Sequence, residues 1–192
     1  MDKYVYVDEV GRGNFYGPCI FCAVCDFDKN IENLAKDSKK TNKQERKTLF
    51  DKIKNKVKYK LYYITPQKID ENGLYKEIKS VLNKIVDDFP NHQIIYDGNN
   101  NFGFNQIKTV VKADDKIVGV GLASIIAKYH LDKYMKEEHT KHPEYGFASH
   151  SGYATKKHIE AVKKFGYLPN HRKSYKIKEL EKEKFKKLDD IF

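Results

Sequence analysis

At 192 residues the chain has room for a proper hydrophobic core and reads as a single domain. Its formal net charge of +10 favours a polyanionic partner, nucleic acid before others. No apolar run is long enough to span a bilayer and no secretory leader pattern is present, so a soluble, cytoplasmic protein without a membrane partner is expected.

Residues 3–7 alternate Val and Tyr, and residues 18–25 form a second apolar run; both read as strands. The second run, GPCIFCAVC, holds Cys19, Cys22 and Cys25. The first two have C-x-x-C spacing, but apolar flanks and the lack of a second ligand pair make them core thiols rather than a zinc or redox site. TNKQERKTLFDKIKNK (41–56) reads as a helix capped by Thr41, with Leu49 and Ile53 on one face. KVKYKLYYIT (56–65) is a third strand. In residues 73–88, Leu74, Ile78, Val81, Leu82 and Ile85 form a helical stripe. HQIIYD (92–97) and IKTVVK (107–112) are short strands separated by a Gly/Asn loop.

From about residue 118, VGVGLASIIAKYHLDKYMKEEH is a long buried helix with a polar end. A loop punctuated by Pro and Gly, KHPEYGFASHSGY, leads to a helix over about 155–165, and a charged amphipathic tail starts near 176. Strands mixed with helices predict an α/β layered domain with helices on both faces of one sheet. Its core covers about residues 1–140, followed by a helical part over about 141–192.

Several acids stand out. Asp8 and Glu9, in VDEVGRG (7–13), end the first strand, and Asp97 ends another just before Gly98. Metal-assisted phosphoryl chemistry needs oxygen ligands converging from separate elements, and Mg²⁺ takes carboxylates rather than His or Cys. Adjacent residues on a strand point to opposite faces, so Asp8 and Glu9 share a site only if the strand ends or bulges there. Asp132 follows Ser124 and Lys128 at helical spacing, a polar stripe on an otherwise apolar helix. Each acid also has a plain reading, as a turn former or as half of a surface ion pair. The glycines do not form a dinucleotide fingerprint: counting from Gly11, the sixth position is Tyr16 and an apolar run follows Pro18.

Six segments in order resemble the ribonuclease HII family, the type 2 ribonucleases H. They are DEVGRGNFYGP (8–18), DSKK (37–40), YDG (96–98), ASIIAK (123–128) with Asp132 beyond it, YGFASHSGYATKKH (145–158) and HRKSY (171–175). The resemblance implies a ribonuclease H-like fold, a central mixed five-stranded sheet flanked by helices, with additional C-terminal helices. It implies an endonuclease that hydrolyses the RNA strand of RNA–DNA hybrids and cuts 5′ of ribonucleotides embedded in duplex DNA, leaving 3′-hydroxyl and 5′-phosphate ends. Carried over by position, Asp8, Glu9, Asp97 and Asp132 would be the catalytic carboxylates holding two Mg²⁺ or Mn²⁺ ions. Gly11, Arg12 and Gly13 would grip the ribose 2′-hydroxyl and neighbouring phosphate, Tyr153 would stack on the next sugar, and Ser38 and Lys39 would touch backbone phosphate. A 2′-hydroxyl is what lets a site tell RNA from DNA, which suits backbone groups at glycines.

Some positions depart from the family. NFYGP after the GRG resembles the related ribonuclease HIII, which lacks that Arg. Ser151 and Ala154 stand where the usual motif reads HKGYGT, and Gly119 and Gly121 stand where Ser and Ala are usual. The tail FKKLDDIF (185–192) resembles a degenerate sliding-clamp peptide, the plainer reading being a helix docked on its own domain. A monomer is expected. The competing functional class is a basic module that holds RNA–DNA hybrid without cutting it.

Overall fold

The structure, a computed structural model, describes residues 3–32, 34 and 41–181. Ser38, Lys39 and the clamp-like tail lie outside the described residues. Strand β1 (Lys3–Val10) pairs antiparallel with β2 (Cys19–Phe27), and β2 pairs antiparallel with β3 (Val57–Ile64). On its other edge β1 runs parallel to β4 (His92–Asp97), which is parallel to β5 (Ile107–Val110). The result is a mixed five-stranded sheet in the order β3-β2-β1-β4-β5. Between β2 and β3 lies helix α1 (Lys43–Ile53), and between β3 and β4 lie α2 (Pro66–Asn72) and α3 (Leu74–Asp88). After β5 come a single turn, α4 (Ala113–Lys116), and the long α5 (Val118–Lys141). The short α6 (Phe147–His150) and α7 (Lys156–Phe165) follow.

Strand alternation sorts the core onto two faces. Val5, Val7, Cys19 and Phe21 pack with Ile78, Val81, Leu82 and Ile85, the stripe of α3. Cys22 and Val24 face the other way, toward Leu49, Phe50 and Ile53 of α1 and Leu122, Ile125 and Ile126 of α5. The C-x-x-C thiols therefore lie on opposite sides of the sheet. Both are free and buried, and burial pushes the Cys19 thiol up to about 12. A third cluster joins Phe15, Tyr16 and Ile20 to Leu131 and Met135 of α5, to Tyr145 and Phe147, and to Ile159 and Val162 of α7. It fastens the C-terminal helices to the loop after β1.

Two local readings change. The cap of α1 is Asn42, not Thr41: its side chain accepts from the Gln44 and Glu45 amides at 3.0 Å, and Glu45 accepts from the Asn42 amide at 2.8 Å. This reciprocal capping box satisfies donors that Thr41, one residue earlier, cannot reach. Helix α2 is too short to show periodicity, although Thr65 as cap and Pro66 at the first turn announce it.

Helix α5 crosses β1 so closely that a Cβ on Gly119 would lie 2.2 Å from the Tyr6 ring. The glycine and the large aromatic are thus two halves of one contact. Gly119→Ala should cost about 2 kcal/mol in equilibrium unfolding. The double variant with Tyr6→Leu should recover more than half of that loss; additive losses would refute the pairing.

Candidate active site

The last paired residues of β1 and β4 are Val7 and Tyr96. One step on, Asp8 and Asp97 occupy equivalent positions on adjacent parallel strands, about 4.8 Å apart in the sheet direction. Both lie on the face covered by α5. After β5 the chain reverses through Lys112, whose φ is 55°, and α4 opens with Ala113 donating its amide to Asp97 Oδ1 at 3.1 Å. That turn delivers Asp114. One oxygen from each of Asp8, Asp97 and Asp114 lies within 4.8 Å of the others.

Glu9 comes to this centre from the opposite side. β1 stays in register with β2 through Val10, so Glu9 points to the α3 face, where the Tyr96 phenol adjoins it. Its Oε1 accepts from Arg12 Nη1 at 3.1 Å, while its buried Oε2 has no hydrogen-bond partner among the described residues. The two adjacent acids therefore straddle the end of the strand; of the two alternatives, ending or bulging, the strand shows no bulge between Tyr6 and Val10.

Crowded, buried carboxylates resist ionisation. Burial foremost, and then Glu9, push the Asp8 carboxyl up to about 7, with a smaller upward push from Asp97. Ser124 and Lys128, facing it from α5, pull the other way. Burial likewise raises Glu9 despite Arg12. An all-oxygen set of converging carboxylates with an unsatisfied buried oxygen fits a hard divalent cation such as Mg²⁺ or Mn²⁺.

Asp132 is not brought into this group. Its Oδ2 accepts from Arg46 Nε of α1 at 2.8 Å, and it lines a separate cleft of about 580 Å³ with Lys43, Lys133 and Lys136. The reason is helical rise: Asp132 lies eight residues beyond Ser124, the residue facing Asp8, or about 12 Å along the axis. The polar stripe is real, but only its first two members face the acids.

Beside the acids, residues 11–18 form a turn held from within. Gly11 has φ of 85°, and a Cβ there would lie 2.7 Å from the Pro18 carbonyl. The fully buried Arg172 donates four hydrogen bonds into the turn, to the Gly11 and Arg12 carbonyls and twice to Gly17 O, and a fifth to the Tyr175 hydroxyl. The turn is also zipped to the loop before α7. Phe15 and Tyr16 amides donate to Gly152 O at 2.9 and 3.1 Å, and Asn14 Nδ2 donates to Ser151 O at 2.7 Å. Tyr153 thereby stands about half exposed with its ring against Gly13, where a Cβ would be 3.8 Å away. Gly11, Arg12, Gly13 and Tyr153 thus share one patch next to the carboxylates.

A family model described as Ribonuclease HII matches residues 6–187. The chain belongs to the ribonuclease HII family. Ribonuclease HII of Campylobacter concisus is 42% identical over 178 residues, covering 93% of this chain and 95% of the relative. That of Campylobacter hominis is 44% identical over 181 residues, with 93% and 97% covered. Among solved structures, the ribonuclease H2 of Pyrococcus horikoshii superposes with a TM-score of 0.76 at 28% identity, covering 96% of this chain and 99% of that one. The ribonuclease HII of an Archaeoglobus fulgidus PCNA complex gives a TM-score of 0.78 at 22% identity, covering 92% and 96%, a likeness of fold. The five-stranded mixed sheet with flanking helices is the ribonuclease H-like fold, and the protein is a ribonuclease H, a nuclease of the hydrolase class.

Within this ribonuclease HII the unusual residues find local reasons. Gly119 makes room for Tyr6, and Ala154 packs against the third hydrophobic cluster. Ser151, at φ of 50°, holds a left-handed turn. Sequence reasoning passed over Asp114 and Arg172. Asp114 sits in KADDK, without the strand end and glycine that mark Asp8 and Asp97. Arg172 was legible as part of HRKSY, but a burial without a carboxylate partner has no sequence signature.

Removing the buried Asp8 carboxylate should stabilise the metal-free protein. Because the folded-state pKa of Asp8 is raised to about 7, the folded form holds a proton that the unfolded chain has released. The stability contributed by that proton is full below pH 3.8 and is lost as pH rises through 7. In chelator at pH 8, Asp8→Asn should unfold about 1–3 kcal/mol later than wild type, the gap shrinking toward pH 6. Added Mg²⁺ should stabilise wild type and not the variant. A pH-independent gap would contradict the buried-acid account.

Proposed function

We propose that this ribonuclease HII cuts the RNA strand of RNA–DNA hybrids, and duplex DNA on the 5′ side of an embedded ribonucleotide, leaving 3′-hydroxyl and 5′-phosphate ends. The observation that carries this reading is the convergence of Asp8, Asp97 and Asp114 oxygens within 4.8 Å, at the foot of the turn bearing Arg12. Asp8, Glu9, Asp97 and Asp114 are the carboxylates that would hold the cations and are our catalytic set; Asp114 takes the role that the family resemblance had implied for Asp132. When bound, a pair of Mg²⁺ or Mn²⁺ ions supplies an activated water and charge stabilisation for the leaving 3′ oxygen.

The chain's own residues do the rest. Arg12, with its side chain half exposed, offers a guanidinium to the phosphate beside the ribonucleotide while its inner edge orients Glu9. The backbone at Gly11 and Gly13 approaches the sugar, so that a 2′-hydroxyl gains partners a deoxyribose lacks. Tyr153 gives a flat apolar face to the next sugar. Ser38 and Lys39 remain assigned to backbone phosphate. The net charge of +10 draws the duplex in. We further propose a cytoplasmic monomer acting in DNA replication and repair, built as one catalytic domain with its C-terminal helices.

A labelled DNA duplex carrying one ribonucleotide, incubated with Mg²⁺ or Mn²⁺ and then with chelator, tests this reading. Asp97→Asn and Asp114→Asn should each lose at least about a hundredfold in kcat while still binding duplex. Asp132→Asn should stay within about threefold of wild type. An inactive Asp132→Asn beside an active Asp114→Asn would reverse the assignment. The tail is proposed to engage a sliding clamp through Phe185, Leu188 and Phe192. Deleting residues 185–192 should abolish co-elution with the clamp, and unchanged co-elution would end that idea.

A further inference from the structure

Three buried histidines, His150, His158 and His171, lie behind the ribonucleotide patch. Their contacts fix where each proton sits. The Leu168 amide donates to His171 Nδ1 at 2.8 Å, so that nitrogen is an acceptor. The Leu168 carbonyl, at 3.3 Å, is the weaker contact; a proton on Nδ1 would set two N–H groups facing each other at 2.8 Å. A neutral His171 therefore carries its proton on Nε2. That nitrogen lies 3.0 Å from His158 Nε2, which must then accept. His158 in turn carries its proton on Nδ1 and donates it to the Tyr153 carbonyl at 2.8 Å. His150, stacked on His158 with ring centroids 4.5 Å apart, accepts from the Gly152 amide at 3.3 Å and donates from Nε2 to Tyr145 O at 2.8 Å.

This directed chain joins two elements that the proposed function needs side by side. At one end is Tyr153, following Ser151 and Gly152, both in the left-handed region. At the other end His171 precedes Arg172, whose guanidinium holds the carbonyls of Gly11 and Arg12. One short segment, residues 168–172, thus sets both jaws: the glycine turn through Arg172, and Tyr153 through His171 and His158.

We propose that His158 and His171 are positioning residues for ribonucleotide recognition, holding Tyr153 at a set distance from the Gly11–Gly13 turn through a hydrogen-bond chain of fixed direction. The inference rests on the reading that this turn and Tyr153 grip the ribonucleotide. An Asn at 158 keeps a donor near the Nδ1 position and so keeps the bond to Tyr153 O. A Leu there removes it. An Asn at 171 still accepts from the Leu168 amide but is too short to reach His158.

Steady-state cleavage of the single-ribonucleotide duplex, with unfolding measured on the same proteins, separates positioning from mere packing. His158→Leu and His171→Asn should raise KM about tenfold with kcat within about twofold, as Tyr153→Ala should. His158→Asn should lose stability yet keep KM within about threefold of wild type. If KM instead tracks stability across the series, with His158→Asn as impaired as His158→Leu, the inference falls. If Tyr153→Ala raises KM while His158→Leu and His171→Asn do not, the inference fails alone. If Tyr153→Ala leaves KM unchanged, the recognition reading itself fails and takes this one with it. Histidine ¹⁵N resonances at pH 7 should show His171 protonated at Nε2 and His158 at Nδ1; the opposite pair, or an imidazolium, would overturn the chain's direction.

Discussion

The buried guanidinium of Arg172 is the constraint on which the working end of this ribonuclease HII depends. A cation taken wholly out of water is costly unless every donor is met. Among the described residues no carboxylate meets it. Backbone carbonyls of Gly11, Arg12 and Gly17 do so instead, with the Tyr175 hydroxyl, which itself donates to Arg12 O at 2.6 Å. Those carbonyls converge only because Gly11 turns in the left-handed region. The turn shapes a socket for the arginine, and the arginine holds the turn. Each supplies what the other lacks, so the glycine turn is braced from within by a buried side chain.

The carboxylates show the opposite economy. Parallel pairing of β1 and β4 forces Asp8 and Asp97 onto one face, and the reversal after β5 adds Asp114. Such crowding destabilises the metal-free fold and lifts the Asp8 carboxyl to about 7. A divalent cation would remove that penalty, so the same repulsion that weakens the metal-free fold would favour the ion. Glu9 joins from the far face without breaking the strand, because its side chain is held at the strand's end by Arg12.

What could be read from residues alone follows how local the cause is. The α3 stripe, the strand runs and the core cysteines depend on periodicity, and they fold as that periodicity implies. Asp8 and Asp97 were legible because an acid at a strand end before a glycine is a local pattern. Asp132 lies apart, paired with Arg46: helical spacing correctly joins it to Ser124 and Lys128, yet spacing does not say how far along the helix a neighbouring strand ends. Asp114 was hidden because its approach depends on a turn whose cap is the Asp97 side chain, a contact made only when β5 is paired.

By itself the sequence determined most of the secondary elements, the two-faced sheet, the family, and the acids Asp8 and Asp97 at their strand ends. These follow from hydrophobic period, turn chemistry and ordered motifs, all short-range properties of the chain. Tertiary structure alone decided that Asp114 joins Asp8 and Asp97, why Gly119 faces Tyr6, and how Arg172 holds the Gly11–Gly17 turn from behind. Those outcomes depend on buried polar groups finding partners more than a hundred residues away, as Arg172 does at Gly11. Satisfaction of a buried donor is a property of the packed interior and is not written in any one segment.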